Sequence, residues 1–200
     1  MRQPLSVMRA AVYSLNQHLG LSRDEKARRY LGLLLREVEE LNSVASNLAT
    51  LAGAAVAERH VADLEMLVAA ALERVETRPN VTIEAAVDPG EVLFCDSSQI
   101  RLALINVIKN SIQSMPGEGL VRIVCQHAGR EARIVISDNG PGMTEEVRAR
   151  ATEPFFTTSC YRVGIGLTVA QRLVEACGGK LAIESTPGAG TTVTLTFPPY

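Results

Sequence analysis

Two hundred residues with a formal net charge of -2 carry no basic footprint, so nucleic acid is not an expected partner. No apolar run approaches the roughly 20 residues of a bilayer span, and the opening MRQPLSVMRAAV lacks the h-region of a signal peptide. Cys95, Cys125, Cys160 and Cys177 form no CxxC pair, which excludes a zinc or disulfide framework and reads as reduced thiols in a cytoplasmic chain.

Leu5, Met8, Val12, Leu15 and Leu19 alternate spacings of three and four, a heptad seam over 3–19. Gly20-Leu21 breaks it, and Ser22 with Glu25 makes a capping box that starts a second helix near residue 23. That helix carries its own seam, Leu31, Leu34, Val38, Leu41, Ala45 and Leu48. Two helices with one seam each fit an antiparallel hairpin that pairs with a second copy into a four-helix bundle, or a hairpin packed on the rest of its own chain. The hairpin domain spans 1–55. Residues 52–60 lose the seam and read as a connector to a second domain, 61–200.

Asp63 is placed to cap a helix over 64–77, with Leu64, Leu67, Val68 and Leu72 as its apolar positions. VTIEAAV and EVLFC read as strands around Asp88-Pro89-Gly90. A helical period returns over 98–115, then GLVRIVCQ and REARIVISD form a hairpin around Ala128-Gly129. Helices are expected at 144–151 and 165–177, the latter stopped by Gly178-Gly179, and KLAIEST and TTVTLTF close the chain as strands around Pro187-Gly188. The fold class is α+β: a two-helix hairpin, then an α/β sandwich with helices on one face of a mainly antiparallel sheet.

Four short segments hold the polar chemistry. Asn106 and Asn110 lie one helical turn apart and project from one face, as amides orienting phosphate and Mg²⁺ or as a solvated surface pair. DNGPGM at 138–143 follows a strand and supplies a carboxylate able to accept from an exocyclic amine, with glycines that admit a flat ligand; an acidic turn has the same composition. Gly164 and Gly166 precede a helix whose free N–H groups suit a polyphosphate, although capping glycines look alike. GAGTT at 188–192 reads alone as a hairpin turn.

In order, Asn106-xxx-Asn110, DNGPGM, EPFFTT (153–158), GIGL (164–167) and GAGTT resemble the N, G1, F, G2 and G3 boxes of sensor histidine kinases, a branch of the GHKL ATPases. The resemblance covers roughly 61–198 and continues into RQPLSVMRAAVYSL, which is similar to the segment after the phospho-accepting histidine of the dimerisation helix. It implies an ATP site in which Asp138 binds the adenine amine and Gly140 and Gly142 shape the pocket. Asn106 and Asn110 would hold Mg²⁺ and phosphate, while Gly164 and Gly166 would offer backbone donors and Leu167 would join the ATP site. Thr192 would sit near the adenine, and Phe155 and Phe156 would anchor a lid. It also implies a homodimer through the hairpin, a response-regulator receiver domain as partner, and phosphoryl transfer to a histidine and then an aspartate. Hydrolytic members of the superfamily carry Glu where this chain has Asn106, and an amide is no general base, so ATP hydrolysis is not the expected main activity.

The chain departs from the pattern in three places. Aligned on Arg2-Gln3-Pro4-Leu5, the acceptor histidine would fall two positions before Met1, so no catalytic residue is assigned and a fragment beginning just after the acceptor is expected. The alternative is a non-catalytic, nucleotide-responsive dimerisation scaffold. His18, His60 and His127 read as surface or structural residues. Ser159 and Arg162 stand in the lid where many relatives have Lys and Gly, and Arg162 is expected to restore charge toward the γ-phosphate. Gln3 stands where relatives with phosphatase activity carry Thr or Asn.

Overall fold

The computed structural model describes residues 25–53, 57–88, 90–128, 131–159 and 162–199. The chain forms two compact units, Met1–Ala54 and Ala55–Tyr200. The first helix expected from the sequence, with Gln3 and His18, lies outside the described residues. In the first unit, helix α1 spans Glu25–Ala52. Leu34, Leu41 and Leu48 are exposed along it at heptad spacing, beside exposed Tyr30 and Leu33, while Val38 and Asn47 are buried.

The second unit begins with an element the sequence did not announce. His60–Asp63 is strand β1, inside and just beyond the expected connector, and it pairs antiparallel with β3, Val92–Cys95. Ala62, Leu93 and Cys95 point inward from this two-stranded ribbon. Four residues are too few for hydrophobic periodicity to register, so only the pairing reveals the strand. Asp63 then caps helix α2, Leu64–Leu72, by accepting the Met66 N–H at 3.0 Å. This helix stops short of the expected residue 77, and Val75 is buried just beyond its end.

Strand β2, Val81–Val87, does not form a hairpin with β3. It runs parallel to β4, Gly119–Ala128, which returns antiparallel as β5, Glu131–Asp138. The last pair is β6, Lys180–Thr186, and β7, Gly190–Phe197. The sheet order β2-β4-β5-β7-β6 is therefore mixed, with one parallel pair at its edge. Helix α3, Ser97–Ser114, and helix α5, Gly166–Ala176, pack on each other and over the face that presents Val121, Ile123, Ile134, Ile136, Val193 and Leu195. A short α4, Glu145–Arg150, follows the DNGPGM loop and is capped by Thr144. The opposite sheet face is polar; Glu84 and Arg122 pair across strands at 3.0 Å, both more than half exposed, which adds little stability.

Asp96 starts α3. Its carboxylate accepts from Ser98 N–H (3.0 Å), Ser98 Oγ (2.7 Å), Gln99 N–H (3.2 Å) and Glu58 N–H (3.2 Å). Burial alone would raise this carboxyl, but the hydrogen bonds outweigh it and hold the group below its ordinary value. A depressed folded pKa stabilises the chain above the unfolded value, and that stability is lost as pH falls through the folded one. Asp96→Asn keeps a capping oxygen for Ser98 and Gln99 but loses the charge and the acceptor of the Glu58 N–H, and is therefore expected to cost about 1 kcal/mol at neutral pH. The gap in thermal midpoint between the two proteins should narrow below about pH 4; a gap independent of pH would refute the charged cap.

Cys95, Cys125 and Cys177 are buried and free. Burial pushes the Cys95 and Cys125 thiols up to about 12, and raises Cys177 as well, so none is a thiolate at neutral pH.

Candidate nucleotide site

Helix α3 and the start of α5 form one wall of the site. Asn106 is buried on α3, and its Nδ2 donates to the Leu102 carbonyl at 3.0 Å. This fixes the amide so that Oδ1 faces α5: a Cβ on Gly166 would lie 3.3 Å from it. Asn110 follows one turn later and is half-buried. Helix α5 starts without a side-chain cap, because its N-cap is Ile165. Its first N–H groups thus lack an intrahelical partner at the positive end of the helix dipole. Gly164 (φ 71) and Gly166 keep this end bare, and Leu167 is buried behind it.

The other wall is the end of β5. Asp138 is buried, and its Oδ1 accepts the Gly140 N–H at 3.0 Å. Gly140 lies between Asp138 and the end of α3; a Cβ there would stand 2.8 Å from Asp138 Oδ1 and 3.1 Å from Ser114 Oγ. The loop containing these residues is interlocked with the β6–β7 turn. Gly142 (φ 67) backs onto the Thr186 carbonyl, Gly190 (φ 90) onto the Asp138 carbonyl, and the Gly188 N–H donates to Pro141 O at 2.7 Å. Ser185, a residue with no signal in the sequence, completes the joint. Its hydroxyl accepts the Met143 N–H at 2.9 Å and donates to Gly190 O at 2.8 Å.

Two expected placements need correction. Thr192 pairs with Ser137 and lies on the polar sheet face, away from the cradle. Thr191 is opposite Asp138, is buried on the same face, and lies 2.9 Å from the Ser185 hydroxyl. The period of two was available in the sequence, since Thr191 shares a face with Val193, Leu195 and Phe197. Arg162 is the second. Its Nη2 donates to the Gln113 carbonyl at the C-terminal end of α3, seven residues and roughly 10 Å along the helix from Asn106. A guanidinium is drawn there because terminal helix carbonyls have no intrahelical donor and α3 has no basic residue in its last turn. Arg162→Ala is thus expected to weaken ADP and ATP-analogue binding by similar factors, within about twofold of each other, because Arg162 is held at the end of α3 beside the Asp138 loop and the two nucleotides differ only in the γ-phosphate. Loss confined to the triphosphate would restore the γ-phosphate role.

The two ends of the segment from Glu153 to Gly164 are pinned. Arg150 stacks over the Phe156 ring at 4.2 Å and bonds Glu153 at 2.9 Å, and Phe156 N–H donates to Glu153 O at 3.2 Å. Gly164 backs onto the Phe156 carbonyl, bringing the two ends of the segment together. Phe155 holds φ 65 with its ring exposed, an unfavourable backbone state for a bulky residue.

The site so defined is a nucleotide cradle: a buried carboxylate at a strand end, two amides on a helix, and an uncapped, glycine-lined helix start, on a one-sided α/β sandwich. Residues 95–200 match the family described as histidine kinase-, DNA gyrase B-, and HSP90-like ATPase, and the chain belongs to that family. Among curated relatives it is 31% identical over 201 residues to sporulation kinase B of Bacillus subtilis, covering 98% of this chain and 47% of that protein. It is 29% identical to the signal transduction histidine-protein kinase AtoS of Escherichia coli, covering 98% of this chain and 33% of that protein. The chain thus spans less than half the length of these relatives. The mycobacterial sensor histidine kinase MprB superposes with a TM-score of 0.63 at 28% identity, over 70% of this chain and 97% of that one. Full-length ShkA in complex with AMPPNP shares the fold at a TM-score of 0.74 and 24% identity, over 98% of this chain and 43% of that one.

Proposed function

We propose that this chain is the ATP-binding unit and dimerisation hairpin of a sensor histidine kinase, which moves the γ-phosphoryl group of ATP to a histidine and then to an aspartate of a response-regulator receiver domain. The observation that carries this is the Asn106 carboxamide, fixed by its bond to Leu102 O and directed at the bare start of α5. An amide here orients phosphate without activating water, so the nucleophile must come from elsewhere. Asp138 accepts the adenine amine, and the α5 N–H groups take the phosphates. Magnesium fits the amide oxygens of Asn106 and Asn110, which add no charge beyond that of the phosphates; when bound, it neutralises phosphate charge. Phosphoryl transfer depends chiefly on positioning and electrostatics, which such a cradle supplies.

The acceptor is not His60. Its Nδ1 lies 3.2 Å from Glu58 O and its Nε2 2.7 Å from Ser97 Oγ, so both ring nitrogens are occupied. Homodimerisation is supported by the exposed Leu34, Leu41 and Leu48 stripe of α1. A receiver-domain partner is supported by the relatives, one of which, ThkA, was solved in complex with the response regulator protein TrrA. No helix among the described residues is long and apolar enough to cross a membrane, and buried free thiols together with use of ATP fit a cytoplasmic location.

Calorimetric titration with a non-hydrolysable ATP analogue, with and without Mg²⁺, tests the proposal. Saturable binding strengthened by Mg²⁺ is expected, as is transfer of label from ATP to an added chain bearing an acceptor-histidine helix. A folded chain that binds no nucleotide would instead be a dimerising scaffold.

A further inference from the structure

One cross-strand row on the inner face of the sheet is polar where its neighbour is apolar. Asp138 pairs with Thr191, and Thr191 pairs with Ser185, so the three stand side by side on β5, β7 and β6. The next row on that face, two residues along each strand, is Ile136, Val193 and Ile183. Directly paired residues share a face, with side chains about 5 Å apart. Asp138 and Thr191 are buried, and Ser185 is half-buried behind Thr191, one strand further from Asp138.

The protons available in this row fix the direction of each hydrogen bond. A serine hydroxyl has one proton and two lone pairs. The Ser185 proton goes to the Gly190 carbonyl at 2.8 Å, because a carbonyl only accepts. One Ser185 lone pair takes the Met143 N–H at 2.9 Å. The 2.9 Å contact between Ser185 Oγ and Thr191 Oγ1 then has one donor left to make it, the Thr191 hydroxyl. With its proton directed at Ser185, Thr191 offers only lone pairs to a group that enters beside Asp138. Asp138 is in the same condition: one carboxylate oxygen holds the Gly140 N–H, and the other can only accept.

We infer that Ser185 is a positioning residue for base selection: by accepting the Thr191 proton, it sets Thr191 as a second acceptor beside the Asp138 carboxylate. Two adjacent acceptors favour a ligand edge that presents donors, such as the 6-amino group of a purine. They disfavour a carbonyl at that place, which would bring a third set of lone pairs against them. A hydroxyl free to turn would not discriminate in this way, since it could donate to a carbonyl as readily as accept from an amine. This role rests on the nucleotide-binding function proposed above and concerns which base that site selects.

A two-by-two cycle in the full chain tests it. Each protein is titrated with the non-hydrolysable ATP analogue and with its hypoxanthine counterpart, which carries a carbonyl where adenine carries the amine. Ser185→Ala releases the Thr191 hydroxyl to turn toward that carbonyl. The ratio of adenine to hypoxanthine affinity is expected to fall by about fivefold, within the range of one neutral hydrogen bond. In a Thr191→Val background the same substitution should move the ratio by less than about 1.5-fold. If Ser185 served only to hold the Met143 and Gly190 backbone, its loss would loosen the Asp138 loop and shift the ratio equally in both backgrounds. Equal shifts, or a ratio that stays within about 1.5-fold when Thr191 is present, would overturn the role of Ser185 in selection. Should Ser185→Ala abolish cooperative melting, Ser185→Cys runs the same cycle with a side chain of similar size and a much weaker donor and acceptor. A folded, unmodified chain that binds neither analogue removes the nucleotide function and this role together, whereas binding with an unmoved ratio removes this role alone.

Discussion

Asp138→Asn is expected to weaken binding of the ATP analogue by about 30–100-fold, close to the 2–3 kcal/mol of a lost hydrogen bond to a charged group. The carboxylate is buried at the end of β5, where one oxygen is already engaged by the Gly140 N–H. An Asn keeps that bond through its carbonyl and turns its NH₂ toward the ligand. A donor then faces the donor of the adenine amine. The same change should narrow the preference for adenine over guanine nucleotides, since guanine presents a carbonyl at that edge. Titration of both proteins with adenine and guanine analogues reads both effects. An affinity within about threefold of the unmodified chain, with adenine preference intact, would remove Asp138 from the base-binding role.

Gly190→Ala is expected to cost about 3 kcal/mol or more of stability, a fall of roughly 6–12 °C in thermal midpoint for a chain of this size. Two costs add at this position. The backbone sits at φ 90, and a Cβ would overlap the Asp138 carbonyl oxygen, a backbone atom with no freedom to retreat. Gly188 provides the control, because it has a similar φ of 79 with nothing within 4 Å of its Cβ position. Gly188→Ala should therefore lose only the conformational part, about 1 kcal/mol. Equal melting shifts for the two variants would mean that the β6–β7 turn is not locked onto the Asp138 loop. If the lock is real, Gly190→Ala should also weaken nucleotide binding while Gly188→Ala leaves it nearly unchanged, since only the former displaces Asp138.

The two predictions concern one design. The Asp138 carboxylate proposed to take the base sits on a strand end held by a turn about fifty residues later in sequence, and the Asn106 amide proposed to face phosphate sits on a helix held against another helix. Each half of the cradle therefore depends on contacts distant in sequence, and so can be adjusted by elements outside the site.

Much of this was legible in the residues. Capping at Asp63, the helices of the second unit, the β4–β5 and β6–β7 hairpins and the order of the polar segments all follow from local rules: a cap satisfies N–H groups within three residues, and a period of two or 3.6 shows within a dozen. The resemblance of the ordered boxes then narrowed the class of ligand. What local rules misplace is anything decided by a partner across the fold. β1 exists because β3 offers it a ladder, and β2 runs parallel to β4 because β3 and the single helix α3 lie between them and carry the chain back over the sheet. Asn106 faces the start of α5 because Gly166 has no side chain to meet it. The sequence by itself determined the elements, the apolar faces and the chemical types available to the site, since these depend on neighbours within a turn or a strand. Only the folded chain shows that Thr191 pairs directly with Asp138, that Arg162 caps α3, and that residues 58–60 join the far ends of α3 and α5, because cross-strand register and helix-end capping are set by groups remote in the chain.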